Sequence, residues 1–246
     1  MSIRETPQQE VGPKSRRERP AKSPLSQGVI VEAALGLIDS EGVDAVTMRR
    51  VAQELDTGPA SLYVYVSNRR HLLDLVLDRV MEEITVPDEG TWRDRLTGLL
   101  QKSVTALGTR RGLALVALGM IPTGHNAMLV QEQVLALLRE GGLDDAAAAW
   151  AVDLLALLVT ASAAEESIFG DRMAAGEQMD DVLRRVNDTI ASLPPEQFPF
   201  ITRLRPLMMT GSGDDRFRWW IEVILSGLAA VPPPVAGNSG QGTTNG

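Results

Sequence analysis

Residues 47–73 read TMRRVAQELDTGPASLYVYVSNRRHLL, and this stretch decides the fold. Thr47 is a good N-cap, and Val46 and Val51 stand at the two positions of a hydrophobic staple, so a helix begins there. Its buried side is Val51, Ala52 and Leu55. The run Asp56-Thr57-Gly58-Pro59 then interrupts it. Gly58 bends the chain, and Pro59 suits the first turn of a new helix. That helix is short, Ala60 to about Tyr65, with Leu62 as its natural core residue. A further helix starts near Asn68, carries the apolar stripe Leu72, Leu73, Val76, Leu77, Val80, Met81 and Ile84, and stops at Pro87. Two short helices joined by a tight turn, with a helix on either side, describe a helix-turn-helix unit. Such a unit lays its second helix in the major groove of DNA, where base edges show a donor and acceptor code.

Upstream, Ser26 can cap a first helix, with Leu25 and Ile30 as its staple. Val29, Ile30, Ala33, Ala34, Leu37 and Ile38 recur at the helical period, and Gly42 ends the helix. Downstream, Trp92, Leu96, Leu99, Leu100, Val104 and Leu107 line a longer helix. A short apolar piece covers Leu113 to Met120, another helix runs from about Asn126 to Glu140, and a long one from Asp144 to about Phe169. Residues 172–205 look looser, and a last helix spans Asp214 to Ala230. No period-two runs of β-branched residues occur, so the expected fold is all-α: an N-terminal three-helix helix-turn-helix unit, then a helical ligand-binding and dimerisation domain.

Composition narrows the chemistry. The 246 residues contain no cysteine and two histidines, His71 and His125, which excludes a thiol nucleophile, a cysteine-ligated metal and a histidine-rich metal centre. No metal or cofactor is expected. The N-terminus lacks the apolar core of a signal peptide, and Asp153 and Glu165-Glu166 break the apolar stretches, so no membrane span and a cytoplasmic location are expected. The net charge of −8 is unevenly spread. Lys14 to Lys22, KSRRERPAK, holds five basic residues and one acid, whereas residues 26–85 hold five basic residues and ten acids. A disordered basic arm over 1–24 is therefore expected, reaching phosphates or the minor groove through Arg16, Arg17 and Arg19; a merely solvated tail is the plain alternative. The C-terminal residues 232–246, PPPVAGNSGQGTTNG, read as a disordered tail.

From Ser26 to Ile84 the chain resembles the TetR family of bacterial transcriptional regulators. The resemblance is carried by GVDAVTMRRVAQEL and TGPASLYVYVSNRRHLLDLVLDRV: a Leu-Tyr pair, a following aromatic, then a polar-basic-x-x-Leu-Leu helix start. It implies that Thr47 and Arg49 contact phosphates or bases, that Pro59, Ala60 and Ser61 begin the base-facing recognition helix, that Tyr63 and Tyr65 touch the DNA backbone, and that Arg69 binds a phosphate. Tyr63 as packing and Arg49 as a solvated helix residue remain the plainer alternatives. Asp56 stands where the family usually has glycine, but Asp tolerates the left-handed conformation. Tyr65 replaces the commoner histidine.

The second half is similar to the ligand-binding half of the tetracycline-repressor branch, on GHNAMLVQEQVLALLREGG and the helix after it. That resemblance implies a small effector and a homodimer. The 146–164 segment is apolar nearly all round, so it needs burial on more than one side: within the monomer, or in a four-helix bundle across a two-fold axis. Asp153 either fixes register there or faces solvent. Candidate effector contacts are Trp92, Leu96, Leu100, Met120, Ile121, His125, Asn126, Met128, Trp150 and Phe169, each also an ordinary core or capping residue. The expected function is a repressor released from a palindromic double-stranded DNA operator by a small apolar or amphipathic effector. A ligand-independent regulator or an activator is the near alternative. An enzyme using the apolar cavity is the distant one, and no G-x-S-x-G elbow, P-loop or His–carboxylate cluster supports it.

Overall fold

The computed structural model describes residues 24–231 together with Pro233 and Pro234. The basic arm with Arg16, Arg17 and Arg19, and the rest of the C-terminal tail, lie outside the described residues. Every regular element among them is helical: α1 (Gln27–Glu41), α2 (Met48–Glu54), α3 (Pro59–Leu62), α4 (Arg69–Met81), α5 (Trp92–Gly108), α6 (Leu113–Leu118), α7 (His125–Glu140), α8 (Asp145–Ala174), α9 (Met179–Ala191), α10 (Pro199–Met208) and α11 (Gly213–Ala230).

Helix starts follow from capping chemistry. The Ser26 hydroxyl accepts from the Val29 N–H, Thr47 Oγ1 from the Arg50 N–H, and the Asn68 side-chain oxygen from the His71 N–H. Each satisfies a backbone donor that the helix itself leaves open, an arrangement typically worth about 1 kcal/mol. Before α2 the chain makes one tight 3₁₀ turn, Val43–Ala45, which the sequence pattern does not announce. The bend between α2 and α3 sits at Asp56, whose φ of 48° is left-handed, whereas Gly58 has φ −80° and caps α3 in an extended conformation. The expected pivot at Gly58 is thus displaced by two residues.

In the first half, Ile30, Ala34 and Ile38 of α1, Val51 and Ala52 of α2, Leu62 of α3 and Leu72, Val76 and Val80 of α4 meet in one fully buried core. A buried leucine or isoleucine there contributes about 1.5–3 kcal/mol. In the second half α8 is the central element, packed by α5, α6, α7 and α11. Its 30 residues are long and apolar enough to cross a membrane by length and composition. The expectation that its acids rule this out is therefore corrected. Its apolar length has another use, because Ala147, Ala151, Leu155, Val159 and Ala163 are buried against neighbouring helices.

Residues 172–205 are not loose. They hold the end of α8 and the pair α9–α10, helices that pack on each other and bury no residue. Met179, Val182, Leu183, Val186 and Ile190 form one helical stripe, and Asp180 and Asp181 suit the first turn.

The two halves meet along α4, which packs on α7 and α5, and at the turn between α5 and α6. The Val43 N–H donates to the Arg111 carbonyl (2.9 Å), and Gly112, at φ 77°, passes so close that a Cβ would lie 2.7 Å from Val43 Cγ1. Arg110 gives two bonds to Glu83 (3.1 and 2.9 Å) and lies 3.6 Å from Asp39. On the far side, Arg111 pairs with Asp171 and the Gly112 N–H reaches the Ser167 hydroxyl.

Candidate nucleic-acid interface and effector region

Leu62 and Val66 are both fully buried and pin the α3 segment to the core. Everything between and before them is turned out. Pro59, Ala60 and Ser61 are exposed, and Tyr63, Val64 and Tyr65 are 53%, 80% and 37% exposed. The structure thus brings five of the expected interface residues, Pro59, Ala60, Ser61, Tyr63 and Tyr65, into one outward ridge. It adds Val64, an exposed apolar side chain of the kind that meets a thymine methyl. Pattern reading passed over Val64 because a valine at helical spacing reads as core; its signal is that Leu62 and Val66, four residues apart, already supply the buried face.

Thr47 is exposed, but its hydroxyl oxygen serves as a cap, so the O–H remains for an outside acceptor. Arg49 is exposed and forms no ion pair among the described residues, whereas Arg50 is held by Glu41 (2.6 Å) and Glu54 (2.9 Å), which raise its pKa. Arg69 is exposed, but its guanidinium folds back onto the protein. Its Nε donates to the Val46 carbonyl at 2.6 Å and its Nη2 to the Val43 carbonyl at 2.9 Å. It ties α4 to the turn before α2, leaving only part of the guanidinium for a phosphate. The neighbouring Arg70 is exposed without an ion pair among the described residues, and was missed because the family motif points to the first of the two arginines.

The ten expected effector contacts do not converge. Leu96 and Leu100 are buried in the core, and the Trp92 ring packs on Gly141 with Arg93 stacked above it. Ile121 is 84% exposed in the loop before α7; Met120 beside it is half-buried; His125 and Met128 face outward on α7. Asn126 is engaged with Asp78 of α4. Trp150 lies on the outer face of α8 with Leu154 and Leu157, each about half exposed. Of the ten, Phe169 lines a cavity of about 440 Å³, with Leu118, Leu158, Ser162, Ile168 and Trp220 among its walls. A larger cavity of about 670 Å³, walled by Thr85, Gln101, Lys102, Arg218 and Glu222, takes in none of them. The scatter has a simple cause. Methionine and aromatic residues at helical spacing serve cores, surfaces and pockets alike, and composition does not separate the three.

Among the described residues four buried side-chain atoms lack hydrogen-bond partners: Arg95 Nε, Arg110 Nε, Gln133 Oε1 on α7 and Ser162 Oγ in the wall of the Phe169 cavity. An unpaired buried acceptor or hydroxyl costs about 1–3 kcal/mol, which a bound molecule offering a donor removes. Among the described residues no group of histidine, aspartate and glutamate side chains is arranged to hold a metal ion.

Residues 30–76 match the family of bacterial regulatory proteins of the tetR type, and residues 86–231 match the tetracyclin repressor-like C-terminal domain. The chain belongs to the TetR family. A TetR-family protein of this architecture is a DNA-binding transcription regulator and not an enzyme. The chain is 31% identical over 238 residues to the HTH-type transcriptional repressor DrrR1 of Streptomyces coeruleorubidus, covering 90% of this chain and 84% of that one. It is 26% identical over 210 residues to the class G tetracycline repressor of Vibrio anguillarum, 83% and 93% covered. Among solved structures it is similar to ActR of Streptomyces coelicolor in complex with actinorhodin, with TM-score 0.76, 40% identity, and 87% and 100% of the two chains covered.

Proposed function

We propose that the protein is a homodimeric repressor that binds a palindromic operator through α3 and releases it when a small apolar or amphipathic effector enters the second half. The carrying observation is the outward ridge Pro59–Tyr65 held on the buried pair Leu62 and Val66. Residues 25–86 form the DNA-reading unit and residues 87–231 the effector and dimerisation unit, acting in the cytoplasm. Pro59, Ala60, Ser61 and Val64 face base edges; Tyr63, Tyr65, Thr47, Arg49 and Arg70 hold the backbone; Arg16, Arg17 and Arg19 add phosphate contacts from the arm.

The dimer is supported by surface chemistry. Trp150, Leu154 and Leu157 of α8 and Trp219 and Val223 of α11 are exposed apolar residues on two long helices. Such a face is buried when two copies pair these helices across a two-fold axis, with Asp153 at its edge. Effector entry is supported by the cavity at Phe169, with Ser162 as a hydrogen-bonding handle. One relative is by name a repressor, and another is solved with actinorhodin. An aromatic effector bearing oxygen functions fits a cavity of this lining.

In the test, the full chain selects duplexes from a random library, and the selected duplex is titrated with and without actinorhodin as a first probe and with compounds found by thermal shift. The expected result is a palindromic consensus, and a ligand whose affinity the duplex lowers by the factor by which the ligand lowers duplex affinity. Ligands that bind free and DNA-bound protein equally would overturn the release mechanism. Deleting residues 1–24 is expected to lower the slope of log affinity against log salt by about 0.9 per lost phosphate contact. An unchanged slope contradicts the arm's role.

A further inference from the structure

Six helices carry their own side-chain caps: Ser26, Thr47, Asn68, Thr91, Asp144 and Ser212 serve α1, α2, α4, α5, α8 and α11. Helix α7 does not. Its N-cap is Gly124, which has no side chain to offer. The acceptor arrives instead from the DNA-reading half. Asp78, on the face of α4 turned to α7, accepts the Ala127 N–H on Oδ1 at 3.0 Å and the Asn126 side-chain N–H on Oδ2 at 3.1 Å. The approach is so close that a Cβ on Gly124 would lie 2.1 Å from Asp78 Oδ1. A carboxylate here satisfies an open backbone donor and meets the positive end of the α7 dipole.

We infer that Asp78 is a positioning residue for operator binding: by capping α7 from α4 it fixes the angle at which α4 carries the recognition helix. Other polar ties between the halves join Glu83, Asp39 and Val43 to the α5–α6 turn and Thr85 to Lys102 of α5. These ties start beyond the C-terminal end of α4 or on α1 and the turn before α2, while α4 itself packs along α7 and α5. The Asp78 cap is the polar tie made from within α4, and together with the others it defines the orientation of that helix. Disturbing the first turn of α7, residues 124–128, therefore reaches α4 and, through the core that α4 shares with Leu62, the recognition helix. This deepens the regulator reading above and rests on it only for the DNA arm of the test.

The variants are Asp78→Ala, the exchanged pair D78N/N126D, Gly124→Ala, and Asp74→Ala as a control acid one turn earlier on the same helix. The exchanged pair keeps an oxygen for the Ala127 N–H and reverses the side-chain bond, so both hydrogen bonds survive. Without DNA, amide exchange over residues 124–130 is expected to quicken in D78A and G124A and to return to the wild-type rate in the exchanged pair. Unchanged exchange in D78A overturns the cap. With the duplex selected by the wild-type chain, D78A is expected to bind at least about tenfold more weakly, the loss of a charge-assisted bond. The exchanged pair is expected within about threefold of wild type. The direction matters, because removing an acid near a polyanion ordinarily tightens binding, and D74A is expected to do that or nothing. A folded D78A that binds as tightly as wild type, or a loss that the exchanged pair does not restore, overturns the positioning role. Failure of the wild-type chain to select any duplex would count against the operator reading, while the exchange arm still decides the cap.

Discussion

The DNA-reading half and the α9–α10 pair show two ways in which an amphipathic pattern meets its surroundings. In the first, caps at Ser26, Thr47 and Asn68 mark where helices begin, and fully buried residues such as Leu62 and Val76 fix how they pack. In the second, an equally regular stripe from Met179 to Ile190 is only partly covered, by α10: Leu183 and Val186 stay about 43% and 44% exposed. Periodicity foretells a face; it does not say what covers the face, and only in the first half does the same short stretch contain both partners.

The largest expected effect tests this contrast directly. Leu62→Ala should destabilise the DNA-reading unit by about 2–5 kcal/mol, the usual range for emptying a buried leucine site, and abolish operator binding. Leu183→Ala should change monomer stability by less than about 0.5 kcal/mol, as for an exposed position. Chemical denaturation of both variants decides it, and equal losses would mean that α9 is packed as tightly as α3.

A smaller effect separates positioning from reading within the ridge. Tyr63→Ala should weaken binding to every duplex, whereas Ser61→Ala and Val64→Ala should alter preference among single-base variants by about 1–3 kcal/mol. Affinities of all three variants that match wild type on every duplex would remove α3 from the groove. Arg70→Ala should reduce the salt slope by about 0.9, while Arg69→Ala should chiefly lower stability, since its donors hold the Val43 and Val46 carbonyls. Salt titrations and melting curves of the two variants would invert this pattern if Arg69 were the phosphate ligand.

The smallest expected effect lies on α8. Burial, then Asp214 and Glu165, raise the pKa of Glu166. A carboxyl that binds its proton more tightly when folded loses stability as pH climbs from the ordinary carboxylate range through the raised pKa. Glu166→Gln should therefore stabilise the protein at neutral pH by less than about 1 kcal/mol, screened by partial exposure, with the gain vanishing toward pH 4. A gain that persists at pH 4 would assign the effect to something other than this proton.

What the sequence made legible follows from the range of the interactions. Caps and the Leu62 anchor are local, and each is readable from neighbouring residues; the turn is local too, but its residues point to Gly58 where Asp56 takes the left-handed conformation. The Arg69 bonds to Val43 and Val46, the Asn126 bond to Asp78 and the cavity at Phe169 join residues far apart in the chain. No spacing rule reaches them. Asn126 looked like an effector handle because a polar side chain at a helix start is a free donor until a second helix takes it. Leu96 and Leu100 looked like pocket walls because an apolar wall and an apolar core have the same composition.

The central claim is that two copies of this chain present their α3 ridges to one duplex and read its bases. The most direct measurement is sedimentation of the full chain with the duplex it selects, with competition by random DNA. The expected result is two chains per palindromic duplex and a preference over random sequence of at least about 10³. One chain per duplex, or equal affinity for random DNA, would contradict it.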